Sequence, residues 1–214
     1  MGLQRIFAYC LVNCNNWLLS EVSVLDAAQG GGYVHNLFGG QIKQRAEKDR
    51  ATQYFEPHST KLRGVGKVLD GDERFYNNIF LDDDGLQSYD DCQEPVWMGG
   101  NVFLYRAKPS KREEKPLRLP DADNRYRIRR EGTDIVLELK LDADWPQQRQ
   151  FPLITTELLG KTQLVGQAYE HPDGTPLKIN TDYYNNPRDL DNPFPGPVEL
   201  SKSKNELLVW PVEN

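Results

Sequence analysis

The sequence predicts an all-β protein in two parts: stacked β-coils over residues 1–110, then a β-sandwich-like segment over residues 111–214. Three observations predict it. Helix signals are scarce, a short asparagine-led pattern recurs through the first half, and near Lys108 the texture changes to alternating strands parted by turns.

Composition narrows the function classes. The chain has 214 residues, 38% hydrophobic and 27% charged, the balance of a globular protein with a wet surface. A net charge of −6, with no basic run longer than Lys111-Arg112, argues against nucleic acid as a partner. No stretch reaches the roughly 20 apolar residues of a membrane helix. "MGLQRIFAYCLV" imitates a signal peptide, but "NCNN" breaks the run and no small-residue cleavage site follows, so no targeting signal is read. Cys10, Cys14 and Cys92 make no C-x-x-C pair, and there are only three histidines. Neither a zinc site nor a disulfide framework is therefore expected.

Taken in order, the elements begin with the repeat. "NWL" (Asn16), "NLF" (Asn36), "NIF" (Asn78) and "NVF" (Asn101) are spaced by 20, 42 and 23 residues, the middle interval being close to two repeats. Short apolar strands with Asn/Gly turns at that period are what a stacked β-solenoid produces, because one coil cannot bury its own apolar face. Asparagines at one corner of successive coils can form a hydrogen-bonded ladder along the stack. The chain starts almost directly on a repeat with no amphipathic cap, which reads as the C-terminal part of a longer protein. Within the repeat region, "GGQIKQRAEKDRAT" is the one amphipathic helix candidate. "AKPSKREEKP" reads as a charged, proline-bounded linker. Beyond it, "RYRIRREG", "TDIVLELKLDA", "TQLVGQAYEH" and "ELLVWPVE" read as the strands of a small sandwich.

Two acids stand at nearly one phase of the repeat. Asp72 lies six residues before Asn78, and Glu94 seven before Asn101. Equivalent positions on stacked strands lie about 4.8 Å apart. A retaining glycosidase needs its two carboxyls about 5–5.5 Å apart, so one step of the stack supplies that geometry. The ordinary role of acids in Gly-rich turns is to be solvated, yet the surroundings of these two differ. Arg74 would share a strand face with Asp72 and hold it ionised, while "PVW" beside Glu94 offers an apolar setting that favours a general acid. Nearby, "FEPHSTK" supplies Glu56 and His58 as sugar contacts or loop-bonded residues. Tyr54, Phe55 and Trp97 are aromatics for stacking or for the core. "DDDG", Asp82 to Asp84, lacks the spacing of a calcium loop and reads as a solvated turn.

"HNLFGG", "YFEPHSTK", "GDERFYNNIFL" and "GGNVFL", in that order, resemble the C-terminal half of the β-helix of glycoside hydrolase family 120, over about residues 13–110. The resemblance implies a β-xylosidase on a right-handed parallel β-helix associated with an immunoglobulin-like β-sandwich. Such an enzyme acts with retention on xylooligosaccharides and needs no metal or organic cofactor. It implies Asp72 as nucleophile and Glu94 as acid/base, with Glu56, His58 and Arg74 as substrate-contact candidates. Family members run several hundred residues further on the N-terminal side. Neither nucleic acid nor membrane is implied as a partner, and a homo-oligomer is compatible. Two alternatives stay open: a β-helix polysaccharide lyase using calcium on acids such as Asp82–Asp84, and a non-catalytic carbohydrate-binding β-helix.

Overall fold

A computed structural model describes residues 11–211 and the backbone of Arg5–Ile6. Cys10 and most of "MGLQRIFAYCLV" lie outside the described residues. The chain climbs in turns, each adding a strand to the same parallel sheets. The first turn supplies β1 (Arg5–Ile6), β2 (Leu11–Cys14) and β3 (Trp17–Leu18). The second supplies β4 (Val22–Asp26), β5 (Gly31–Val34) and β6 (Leu37–Phe38). The third begins with β7 (Gln41–Gln44), leaves the stack as an antiparallel hairpin of β8 (Glu47–Phe55) and β9 (Leu62–Val68), and returns with β10 (Arg74–Tyr76) and β11 (Ile79–Phe80). A 3₁₀ turn, Gln87–Tyr89, packs on β7 before β12 (Trp97–Gly99) and β13 (Val102–Leu104), and β14 (Leu117–Leu119) adds the last rung. The resulting parallel sheets run β1-β4-β7, β2-β5-β10-β12 and β3-β6-β11-β13-β14.

Strand alternation divides the side chains between inside and outside. Val24, Tyr33, Phe38, Ile42, Phe75, Phe80 and Phe103 fill the interior of the stack. There Phe38, Phe80 and Phe103 stack at successive centroid distances of 5.0 Å, and Tyr33 stacks on Phe75 at 4.8 Å, close to the spacing of the rungs.

The asparagine ladder is present, with an unexpected register. Asn16 Nδ2 donates to Asn36 Oδ1 (2.9 Å), Asn36 Nδ2 to Asn78 Oδ1 (3.2 Å), and Asn78 Nδ2 to Asn101 Oδ1 (3.0 Å). The backbone N–H of Asn16, Asn36 and Asn78 joins the same acceptors. Asn36 and Asn78 are thus neighbours: the 42-residue interval is one rung carrying a hairpin, not two rungs. Each ladder asparagine follows a left-handed corner residue: Asn15, His35, Asn77 and Gly100, with φ of 56°, 54°, 55° and 67°. Lys115 repeats that corner at φ 52°, but Pro116 follows it and has no N–H to offer. Glu113 closes the ladder instead, accepting from the N–H and Nδ2 of Asn101 at 3.0 Å each. The stretch "AKPSKREEKP" is therefore bonded to the stack; Ser110 and Glu113 are buried within it.

Two further expectations are corrected. "GGQIKQRAEKDRAT" forms β7 and the start of β8, because pairing with β4 and β9 satisfies backbone groups that a short polar helix would have to satisfy alone. "TQLVGQAYEH" forms no named strand but a loop with isolated bridges, including Lys161 to Ala168. The other three segments do pair, as the antiparallel sheet of β15 (Arg127–Glu131), β16 (Asp134–Leu141) and β17 (Lys204–Trp210). Leu137, Leu139 and Leu141 of β16 bury against Leu37, Ile79 and Val102 on the outer side of the third parallel sheet. Short helices α1 (Trp145–Gln148) and α2 (Thr156–Leu159) lie in the irregular chain from 143 to 200. There Ile154, Leu159, Tyr169 and Ile179 cover Val34 and Tyr76 of the second parallel sheet.

Candidate active site

Asp72 sits just before β10 in the left-handed conformation, φ 65°, and is fully buried. An aspartate tolerates that conformation better than most residues, and such outliers concentrate where a side chain must be aimed. Its N–H donates to Pro95 O at 2.7 Å, while Glu94 N–H donates to Asp70 O at 3.0 Å. Asp72 and Glu94 therefore occupy adjoining rungs. The register Arg74 to Trp97 aligns Glu94 with Gly71, one residue before Asp72. Gly71 has φ 108°, and a Cβ there would lie 2.5 Å from Glu94 O and 2.8 Å from Glu94 Cβ. Only glycine allows that approach.

Both Asp72 oxygens have donors. Arg74 Nη1 lies 2.5 Å from Oδ1, and the Gln163 N–H donates to Oδ2 at 2.8 Å. Arg74 also bonds the Asp72 carbonyl, Leu159 O (3.0 Å) and Lys161 O (2.7 Å). Its guanidinium carbon lies 4.0 Å from the centroid of Trp97 and 4.9 Å from that of Tyr169. Asp72 and Arg74 are in contact, although Asp72 precedes the strand in a left-handed conformation instead of lying on its face. Burial pushes the Asp72 carboxyl above its ordinary range and outweighs the pull of Arg74 and Gln163, a correction to the expectation that Arg74 holds it ionised. Arg74 has its donors on Asp72 and on carbonyls, so it orients the acid. Trp97, expected beside Glu94, turns a ring face to Arg74 instead. Glu94 is half-buried, its carbonyl 3.4 Å from Arg112 Nη1.

Glu56 and His58 lie at the tip of the β8–β9 hairpin. His58 Nε2 is 2.7 Å from Glu170 Oε1 and 3.1 Å from Gln167 Nε2, and Glu56 is 4.0 Å from Arg63. Neither bonds Asp72, Arg74 or Glu94; the loop 161–170 stands between the tip and the acids. In "DDDG", Asp82 Oδ1 accepts from the Asp84 N–H, Asp83 pairs with Arg106, and Asp84 accepts from Gln41. Sequence reasoning missed Gln163 and Tyr169, whose segment carries no repeat to place it. It also missed Glu73, which lies between Asp72 and Arg74 in the chain and is buried.

No family model and no curated protein matches the chain. The solved complex of XylC with xylose does match, at a TM-score of 0.84 and 30% identity over 93% of this chain. This chain spans 36% of the length of XylC. The likeness thus takes in both the stacked turns and their C-terminal cover.

Proposed function

We propose that this chain is part of a retaining glycoside hydrolase releasing xylose from the non-reducing end of β-1,4-xylooligosaccharides. Its stacked turns belong to a right-handed parallel β-helix, and its C-terminal part to a β-sandwich-like unit. The observation that carries the reading is the placement of Asp72 and Glu94 on adjoining rungs with Gly71 pressed against Glu94. The motif resemblance and the likeness to a protein solved with xylose point the same way.

In this reading an Asp72 oxygen attacks the anomeric carbon while Glu94 protonates the departing glycosidic oxygen. Glu94, now a carboxylate, takes a proton from water as that water displaces the aspartyl ester with net retention. Arg74 and the Gln163 N–H hold the attacking carboxylate in one orientation. Because Asp72 is fully covered, loop 161–168 must shift for a sugar to reach it.

Hydrolysis of 4-nitrophenyl β-xyloside by the wild type, Asp72→Ala and Glu94→Ala, with and without azide, tests this. Both variants should lose turnover, and azide should restore it in Glu94→Ala as a β-xylosyl azide. Near-full activity in both variants would send the search for the catalytic acids elsewhere.

A further inference from the structure

Next to the candidate nucleophile, in the segment that leads into β10, lies a buried carboxyl to which no other residue donates a hydrogen bond. Glu73 is 1% exposed, and no other residue donates a hydrogen bond to its oxygens, leaving only its own backbone N–H at hand. Asp26, at the end of β4 and 2% exposed, is near enough for its charge to disfavour that of Glu73. Asp26 is better served: the Tyr89 hydroxyl donates to Oδ2 at 2.7 Å and the Ala28 N–H to Oδ1 at 3.3 Å.

Most groups around them supply no compensating charge. Tyr33 from β5, Tyr89 from the 3₁₀ turn, Cys92 and Asp70 from the loops beside it, and Asp72 next to Glu73 in the chain are neutral or acidic. Of the two cations nearby, Arg74 favours the charged form of Glu73 but is bonded to Asp72, and its pull is outweighed by burial, while Arg112 bonds the Cys92 carbonyl. An ionised Glu73 would be an unpaired carboxylate among the rings of Tyr33, Phe75 and Tyr89, a costly arrangement that protonation removes.

We propose that Asp26 and Glu73 form a proton-holding acid pair inside the stack, a pH-sensitive element that stabilises the fold in acid and loosens it as the pH rises. Desolvation acts in the same direction on both, raising Asp26 to about 6 and Glu73 well above its ordinary value. Folded-state values above the unfolded ones mean that the folded chain keeps protons which the unfolded chain gives up. Stability is therefore full below about pH 4 and falls as the pH climbs through 6 and beyond. Since Glu73 lies between Asp72 and Arg74, the rung that loosens is the one holding the candidate site.

Thermal melting between about pH 5 and 8 tests the pair without any assay of turnover. The wild type is compared with Glu73→Gln, which keeps shape and removes the titration. Wild-type Tm should fall across that range; Glu73→Gln should flatten the fall and melt about 5 °C or more above wild type at the alkaline end. Buried groups with no coupling to Glu73, such as Glu113, titrate in both proteins, so the difference reports Glu73 together with the groups its charge acts on. Infrared spectra of Glu113→Gln, which removes the other carboxyl raised to about 7, should also show a protonated-carboxyl stretch at about pH 8, and this measurement decides the matter if Glu73→Gln does not fold. Absence of that band, or parallel melting curves for the two proteins, would overturn the proposal.

Discussion

The stacked turns and the chain that covers them solve the same problem differently. In the stack, one side chain type does one job repeatedly: Asn16, Asn36 and Asn78 each bond the asparagine of the next rung, and the phenylalanines stack by the same step. In the cover, each polar group has its own partner. Arg188 donates to Thr181 O, Phe194 O and Gly196 O, to Asn15 Oδ1 and to Glu199 Oε2. The two meet at the left-handed corners, where Asn15 Nδ2 donates to Thr181 O and Asn77 Nδ2 to Pro152 O. Repetition makes a contact legible in sequence; a contact made once leaves no period to find.

The comparison breaks first at Arg188. Arg188→Ala removes a buried cation, takes the counter-charge from Glu199 and leaves the carbonyls of Phe194 and Gly196 without that donor, and should cost about 4 kcal/mol in urea unfolding. A single transition, followed together by the fluorescence of Trp17 in the stack and Trp145 in the cover, should persist. Two separated transitions would make the cover an independent unit rather than part of one core.

Asn78→Ala should cost about 3 kcal/mol by the same measurement, because Asn36 loses its acceptor and Asn101 Oδ1 loses a donor in a buried site. If the ladder were decorative, the loss would stay near that of an exposed asparagine. Gly100→Ala tests the corner itself. A Cβ there would lie 2.1 Å from Asn77 Oδ1 in a left-handed backbone, and a loss of about 2 kcal/mol is expected.

The ladder's last acceptor adds a pH term. Burial raises Glu113 to about 7 against the bonds from Asn101, so its contribution is present at low pH and lost as the pH rises through 7. Melting curves of Glu113→Gln should lack that component. The smallest effect belongs to the hairpin tip, where His58 and Glu170 are partly exposed: His58→Ala should change stability by less than about 1 kcal/mol. A larger loss would mean that the hairpin braces loop 161–170 more firmly than an exposed pair can.

Much of this was readable beforehand, for reasons tied to particular residues. Asparagine recurring before paired apolar residues announced the stack and its ladder, and the two-residue spacing in "GDERFY" put Arg74 beside Asp72. What misled was local pattern without its partner. The polar stretch after Gly40 resembled a helix until β4 and β9 supplied strands for it to pair with. The 42-residue interval resembled two rungs because a hairpin insertion has no sequence mark distinguishing it from a coil.

By itself the sequence determined the all-β class, the repeating corner and the adjoining rungs of Asp72 and Glu94, because each follows from spacing along one chain. Only the tertiary structure decided that Glu113 ends the ladder, that Gln163 and Tyr169 close over Asp72 and Arg74, and that Glu73 is sealed inside with no donor from another residue. Those are contacts across 12 to 95 positions, or the lack of one, and are set by which surfaces burial brings together rather than by local periodicity.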